Sequence, residues 1–228
     1  MHQLPVPQFA RVTSCTYRPE MLSAALDVLT NQTLPALRCR DSYSGELTLL
    51  NRDHSRMMTI TLWAKAEQNL VSIEPETNND VAILSQYWNS PLMRETYSIY
   101  VNKIRFRDDV VPHTAHARFT TIRVDPLHWD SIVAAGHAAV DELEREHPGF
   151  IGVLALGDDV TGKAIFGELW ENRAALRASE TTAYRQERAA RSVRMLLGVP
   201  QHATYHIEHM ELGRLRSDWE IVSTADQV

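Results

Sequence analysis

The chain has only two cysteines in 228 residues, Cys15 and Cys39. They form no CxxC pair and neither stands beside a histidine cluster, which excludes a zinc signature and a dithiol redox motif. Both read as reduced, buried structural thiols. Long apolar runs are missing too, with nothing approaching the roughly eighteen residues of a membrane-spanning helix. The opening Met1-His2-Gln3-Leu4-Pro5-Val6-Pro7 lacks the basic and apolar regions of a signal peptide, so a cytoplasmic protein is expected. A surplus of Lys and Arg is also absent: 23 of them against 29 Asp and Glu leave a net charge of −6. That is the wrong sign for a surface that neutralises phosphates, and nucleic acid is excluded as a partner. P-loop, dinucleotide-fingerprint and Ser-His-Asp spacings are missing, and hydrolase and nucleotide-dependent readings fall with them.

What is present is an ordinary globular composition, 44% hydrophobic and 23% charged, sufficient for a packed core. Within it lies an internal repeat. At a shift of 107 residues, Ala10, Arg11, Thr13, Pro19, Arg38, Gly45, Leu47, Leu49, Leu62 and Trp63 match Ala117, Arg118, Thr120, Pro126, Arg145, Gly152, Leu154, Leu156, Leu169 and Trp170 without a gap. After Trp63 the register slips by one residue, and Thr96-Tyr97-Ser98-Ile99 aligns with Thr204-Tyr205-His206-Ile207.

Each half reads as the same order of elements. Arg11–Tyr17 and Arg118–Val124 are rich in β-formers and are followed by Pro19 and Pro126, which suit a first helical turn. Trp129, Ile132, Val133, Gly136, Val140 and Leu143 then recur at helical spacing, as do Leu22, Ala25, Leu26 and Leu29. Two hairpins follow, Glu46–Leu50 with Met57–Trp63, and Ile151–Leu156 with Lys163–Trp170. A helical region is expected over Glu171–Leu197, and the last strands over Glu95–Phe106 and Ala203–Leu212. This is the βαββαβ order of a ferredoxin-like unit. The fold class is therefore α+β, with a first repeat over 1–108 and a second over 109–228, the latter including the tail Gly213–Val228. Each sheet leaves one apolar face bare, so the halves should cover each other as an intramolecular pseudo-dimer, which leaves room for a further homodimer.

The second half carries His147-Pro148-Gly149-Phe150, then Phe166-Gly167-Glu168-Leu169-Trp170-Glu171-Asn172, then Ala174-Ala175-Leu176. This resembles the antibiotic-biosynthesis-monooxygenase family of dimeric α/β barrels, in fold over nearly the whole chain and in motif mainly over 117–212. The first half keeps Leu62-Trp63 but has Thr61 where Glu168 stands. The resemblance implies a cofactor-independent monooxygenase-like enzyme acting on a small aromatic or polyketide-type molecule. The alternatives are a non-catalytic ligand-binding or stress-response barrel, or a haem-binding member, because fold does not select among functions. The haem-degrading branch has an Asn on its first strand and a His on its second helix. Here neither first strand contains Asn and Tyr184-Arg185-Gln186-Glu187-Arg188 contains no His, which disfavours haem degradation.

A cofactor-free oxygenase needs an apolar cavity, a group to take or steady a proton, and aromatic walls. Trp63 and Trp170 end equivalent strands and either line two such cavities or fill core. His137, at the margin of its helix's apolar stripe, is a candidate base or a buried structural His; Thr30 occupies its place in the first half. Tyr97 and Tyr205 are equivalent and could hold a phenolate or simply pack. Glu168 and Tyr184 complete the candidates for substrate binding. Alternation places His202, His206 and Glu208 on one strand face, but real metal sites draw ligands from several elements, and no metal or other cofactor is expected.

Overall fold

A computed structural model of the chain describes residues 6–66, 86–104, 113–180, 190 and 192–212. Among the described residues eight strands form: β1 Phe9–Thr16, β2 Tyr43–Asn51, β3 Arg56–Trp63, β4 Met93–Ile104, β5 His116–Arg123, β6 Phe150–Asp158, β7 Lys163–Trp170 and β8 Gln201–Leu212. The helices are α1 Leu22–Val28, α2 Leu34–Arg38, α3 Trp129–Glu146 and α4 Arg173–Glu180. Between α1 and α2 the chain makes a π-turn, Leu29–Thr33, just before Pro35. Proline has no N–H to donate to the preceding turn, so the ladder widens there.

The strands close into one barrel in the order β1-β3-β2-β8-β5-β7-β6-β4. Each repeat contributes a four-stranded sheet of ferredoxin-like order, β4-β1-β3-β2 and β8-β5-β7-β6. The two sheets do more than cover each other's bare faces. Their edges join by antiparallel pairing at two seams, β2 with β8 and β4 with β6, which leaves no strand edge unpaired in the barrel.

Alternation along the strands divides the side chains between inside and outside. Ala10, Val12, Leu47, Leu49, Ile60, Leu62, Ala117, Phe119, Leu154, Leu156 and Leu169 meet in one interior core drawn from both repeats. Burial of each large side chain there contributes roughly 2 kcal/mol. Helices cover the outer faces. Ala139, Val140 and Leu143 of α3 and Leu176 of α4 pack on Val153, Phe166 and Trp170. Leu22 and Ala25 of α1 pack on Cys15, Tyr17, Leu50 and Met57.

Both seams need glycine at the same station. Gly45 sits at φ 142°, in the region that disfavours any side chain, and a Cβ there would run into the backbone carbonyl oxygen of Glu211 on β8. A Cβ on Gly152 would likewise run into the carbonyl oxygen of Lys103 on β4. The glycine shared by the two halves thus marks the places where the chains of different repeats approach too closely for a side chain.

Three expectations change. The helix expected to reach Leu197 does not: Val193–Met195 is a 3-10 turn, Leu196 is extended, and its backbone bridges Val124. Cys39 is exposed rather than buried, because it follows the last turn of α2, while Cys15 is buried under α1. His137 lies on the exposed side of α3; the residues that face the sheet are Trp129, Ala139, Val140 and Leu143. The boundary placed at 108/109, the tail Gly213–Val228 and Tyr184 lie outside the described residues.

Candidate functional site

Trp63 and Trp170 end β3 and β7 on the outward faces, where Trp170 packs with residues of α3 and α4, and both are fully buried. Tyr97 and Tyr205 belong to the interior core on the opposite face of the sheet. A strand's two faces are separated by the pleat, so no single cavity gathers these Trp and Tyr residues. The Tyr97 hydroxyl donates to Glu95 Oε2 at 2.9 Å, and Lys163, itself bound to Glu95, lies over the Tyr97 ring. Tyr205 packs edge-on against Phe119. Burial pushes the pKa of both phenols upward, and for Tyr97 the bond to Glu95 adds to it.

The outward faces of the two repeats differ in a way that the strand register makes explicit. In the second repeat Val153, Glu168, Arg118 and Thr204 stand side by side across β6, β7, β5 and β8. Glu168 and Arg118 are direct cross-strand neighbours and form a buried ion pair. Arg118 also donates to Ser179 Oγ at 3.2 Å and to Glu180 at 3.3 Å, both on α4. The next outward station of β7 holds Phe166, buried beneath α3. Trp170 lies edge-on to His147 at 5.9 Å and to Phe150 at 5.3 Å, and its Nε1 meets no hydrogen-bond acceptor among the described residues.

In the first repeat the same row reads Glu46, Thr61, Arg11 and Thr96 across β2, β3, β1 and β4. Here the carboxylate stands one strand farther from the guanidinium, with Thr61 between them. The span from β2 to β1 is two strand spacings, about 10 Å. Thr61 accepts a hydrogen bond from Trp63 Nε1 at 3.1 Å, and the Arg11 guanidinium lies 5.4 Å from the centre of the Trp63 ring. Tyr43 packs edge-on to the same indole at 6.0 Å. One station along, Thr59 replaces Phe166, and it lies beside Thr48 and Thr13. Arg11, Thr13, Thr59 and Thr61 are all partly open, whereas Arg118, Phe166 and Glu168 are buried.

The charges of this first face are perturbed in a consistent direction. Glu46 is 0% exposed, and burial pushes its carboxyl up to about 7; the Thr48 hydroxyl, which donates to Oε1, and Arg38 pull the other way, and Glu211 reinforces the rise. Oε2 has no hydrogen-bond partner among the described residues. Arg11 is drawn down to about 10, by burial first and then by Arg94, and it remains a cation near neutrality. A base titrating near neutral pH and a cation that favours an anion therefore share one face, lined by a Trp ring and small hydroxyls.

Glu46 escaped the sequence reading, which favoured Glu168. Its signal was available: a Glu alternating with Leu47 and Leu49 on a strand, aligned with Val153 in the other repeat. The His-rich strand does not gather into a site. His202 bonds Thr120 at 2.9 Å, whereas His206 lies edge-on to His116 and 3.5 Å from Glu208, which Arg52 also holds. A bulge in β8 opposite Thr48 and Leu49 interrupts the alternation at Glu208. No group of three or more His, Cys, Asp or Glu side chains able to hold a metal occurs among the described residues, and no described helix is long and apolar enough to cross a membrane.

No protein-family model matches the sequence, and no curated protein matches it. Solved structures do match. A presumptive monooxygenase from Lactobacillus acidophilus superposes with a TM-score of 0.71 at 9% identity, over 91% of this chain and 97% of that one. One from Fusobacterium nucleatum gives 0.70 at 12% identity, over 92% and 96%. An anthrone oxidase-like protein gives 0.66 at 14% identity, over 94% and 97%. At such identities the likeness is one of fold. By that fold the chain is a tandem two-repeat ferredoxin-like α/β barrel similar to these solved structures.

Proposed function

We propose that this chain is a cofactor-independent monooxygenase-like enzyme acting on a small hydroxy-aromatic or polyketide-type molecule, with its working site on the outward face of the first repeat. The observation that carries this reading is the contrast between the two faces. In the second, Phe166 and the Arg118–Glu168 pair occupy the space. In the first, Thr59 and Thr61 stand in place of Phe166 and Glu168, and Trp63 and Arg11 share the face. The solved structures named as monooxygenases and as anthrone oxidase-like support the choice of chemistry.

The reaction needs little from a protein beyond proton transfer and a dry, cationic setting. Removal of a proton from an anthrone-type substrate leaves a delocalised anion. That anion passes one electron to dioxygen, and the resulting radical and superoxide couple to form a C–O bond. The peroxide so formed takes up a proton and loses water, leaving a quinone carbonyl. Anthrone and dioxygen thus give anthraquinone and water, with no other oxidant consumed. Arg11 steadies the anion, Trp63 stacks on the ring, and the covering helices limit water. Trp170 offers a second aromatic wall in the other repeat, where the ion pair leaves less room; exposed His137 takes no part.

The test is oxygen consumption by the purified chain with anthrone and a panel of related phenols, followed by the absorbance of the quinone. Uptake in equimolar ratio to quinone is expected, and it should fall when Arg11 is replaced by Met. Absence of uptake across the panel would refute the reading.

A further inference from the structure

We propose that the loop end of the second repeat is an interface between two copies of this chain, packed about a two-fold axis at Leu127, so that the β6–β7 hairpin of each copy lies against segment 193–199 of the other. This goes beyond the catalytic reading and holds whatever chemistry the first repeat performs.

The apolar surface carries the assignment. Seven large apolar residues are well exposed among the described residues, and five of them, Leu127, Val160, Val193, Leu197 and Val199, fall on three segments at this one end. Leu127 and Val199 are 90% exposed and Val160 is 83% exposed. Backbone hydrogen bonds tie the segments together: the N–H of Val124 donates to Gly162 at 2.7 Å, that of Asp125 to Met195 at 3.1 Å and that of Leu197 to Arg123 at 2.8 Å. Because β5 lies between β7 and β8, Leu127, which follows β5, sits in the middle. Val160 lies to one side of it and Val193, Leu197 and Val199 to the other. Single surface hydrophobics need no explanation, but several on adjoining segments mark a contact surface.

The first repeat supplies an internal control. The same backbone bonds recur there, from Tyr17 to Ser55, from Arg18 to Tyr87 and from Asn89 to Thr16. Yet the stations of Leu127, Val160, Leu197 and Val199 are held by Glu20, Asp53, Asn89 and Pro91, all exposed. The backbone of this end therefore does not itself require apolar side chains, and their presence in the second repeat has a cause outside the fold.

A second copy is the occupant that the charges fit. On the hairpin side Asp158 and Asp159 precede Val160, and Lys163 at the foot of the hairpin is held by Glu95. On the other side Arg194 is exposed next to Val193. A two-fold rotation brings Asp159 of each copy to Arg194 of the other while the apolar side chains meet around the axis. Head-to-tail contact with the first repeat's end would instead strip water from Glu20, Asp53 and Asn89 against apolar side chains, and it would build an open chain of copies.

Sedimentation equilibrium of the full chain from about 1 to 200 µM should show a monomer–dimer equilibrium, the weak association expected of a small interface. Leu127→Glu with Val160→Asp, which installs the first repeat's residues at exposed stations, should weaken association by about 10-fold or more with an unchanged melt. Met93→Asp, at an exposed apolar residue of the first repeat, should leave association unaltered. Asp159→Arg and Arg194→Asp should each weaken the dimer and together restore it. A chain that stays monomeric throughout, leaving this end to some other occupant, would overturn the proposal, as would a dimer indifferent to the Leu127 and Val160 changes or equally weakened by Met93→Asp. So would assemblies that grow past the dimer with concentration, or charge reversals whose losses add rather than cancel.

Discussion

The buried carboxyl of Glu46 ties the stability of the barrel to pH in the direction opposite to that of an ion-paired acid. In the folded chain the group titrates at about 7, against an ordinary value of 4.5. Between those two values the folded state keeps a proton that the unfolded chain has released, so stability falls as pH rises through this window. Below it both states are protonated and the group has no effect. Above it both are ionised and the cost is complete. Each tenfold difference in acidity is worth 1.36 kcal/mol, so the cost reaches about 3 kcal/mol. Glu46→Gln removes the titration while keeping shape and the contact with Thr48. Relative to wild type, the variant should therefore gain about 3 kcal/mol between about pH 4.5 and pH 8, a change in melting temperature of about 6 to 12 °C for a domain of this size. Paired urea or thermal melts across that range measure it, and all other titrating groups cancel in the difference. A difference curve flat to within about 0.5 kcal/mol would refute the reasoning, because it would mean that Glu46 is ionised and solvated throughout.

Three further outcomes are expected. Gly45→Ala and Gly152→Ala each force a side chain onto a carbonyl across a seam and should cost about 3 kcal/mol in urea unfolding; unchanged midpoints would show that the seams are looser than the register requires. Arg118→Met strands Glu168 without its cation and should cost about 3 to 5 kcal/mol, most of which returns when Glu168→Leu is added; additive losses in the double-mutant cycle would contradict a coupled buried pair. Native protein at about pH 8 should react rapidly with a thiol reagent at one cysteine, Cys39, because Cys15 is buried and its thiol is pushed up to about 12; two rapid equivalents per chain would count against this burial.

The strands and their order were legible because their signals are local. Alternation of apolar residues, Pro19 and Pro126 after the first strands, and the matching Gly45 and Gly152 repeat in both halves. The Trp pair was legible for the same reason and does occupy equivalent places. The candidate site was only partly legible. Alternation shows which residues share a face but not which face turns inward, and the barrel puts Tyr97 and Tyr205 inside while Trp63 and Trp170 face outward. His137 illustrates a related limit: a helix position at the edge of an apolar stripe turns in or out according to how the helix sits on its sheet.

By itself, then, the sequence determined a repeated βαββαβ unit with one apolar face to bury, since backbone preferences and side-chain periodicity act between near neighbours in the chain. Tertiary structure alone decided that the sheets zip edge to edge at two seams. It also decided that Glu168 meets Arg118 while Glu46 is kept a strand away from Arg11. The physical reason is that register and burial are set by contacts between residues remote in sequence. A carboxyl's charge depends on those contacts and not on its own neighbours along the chain.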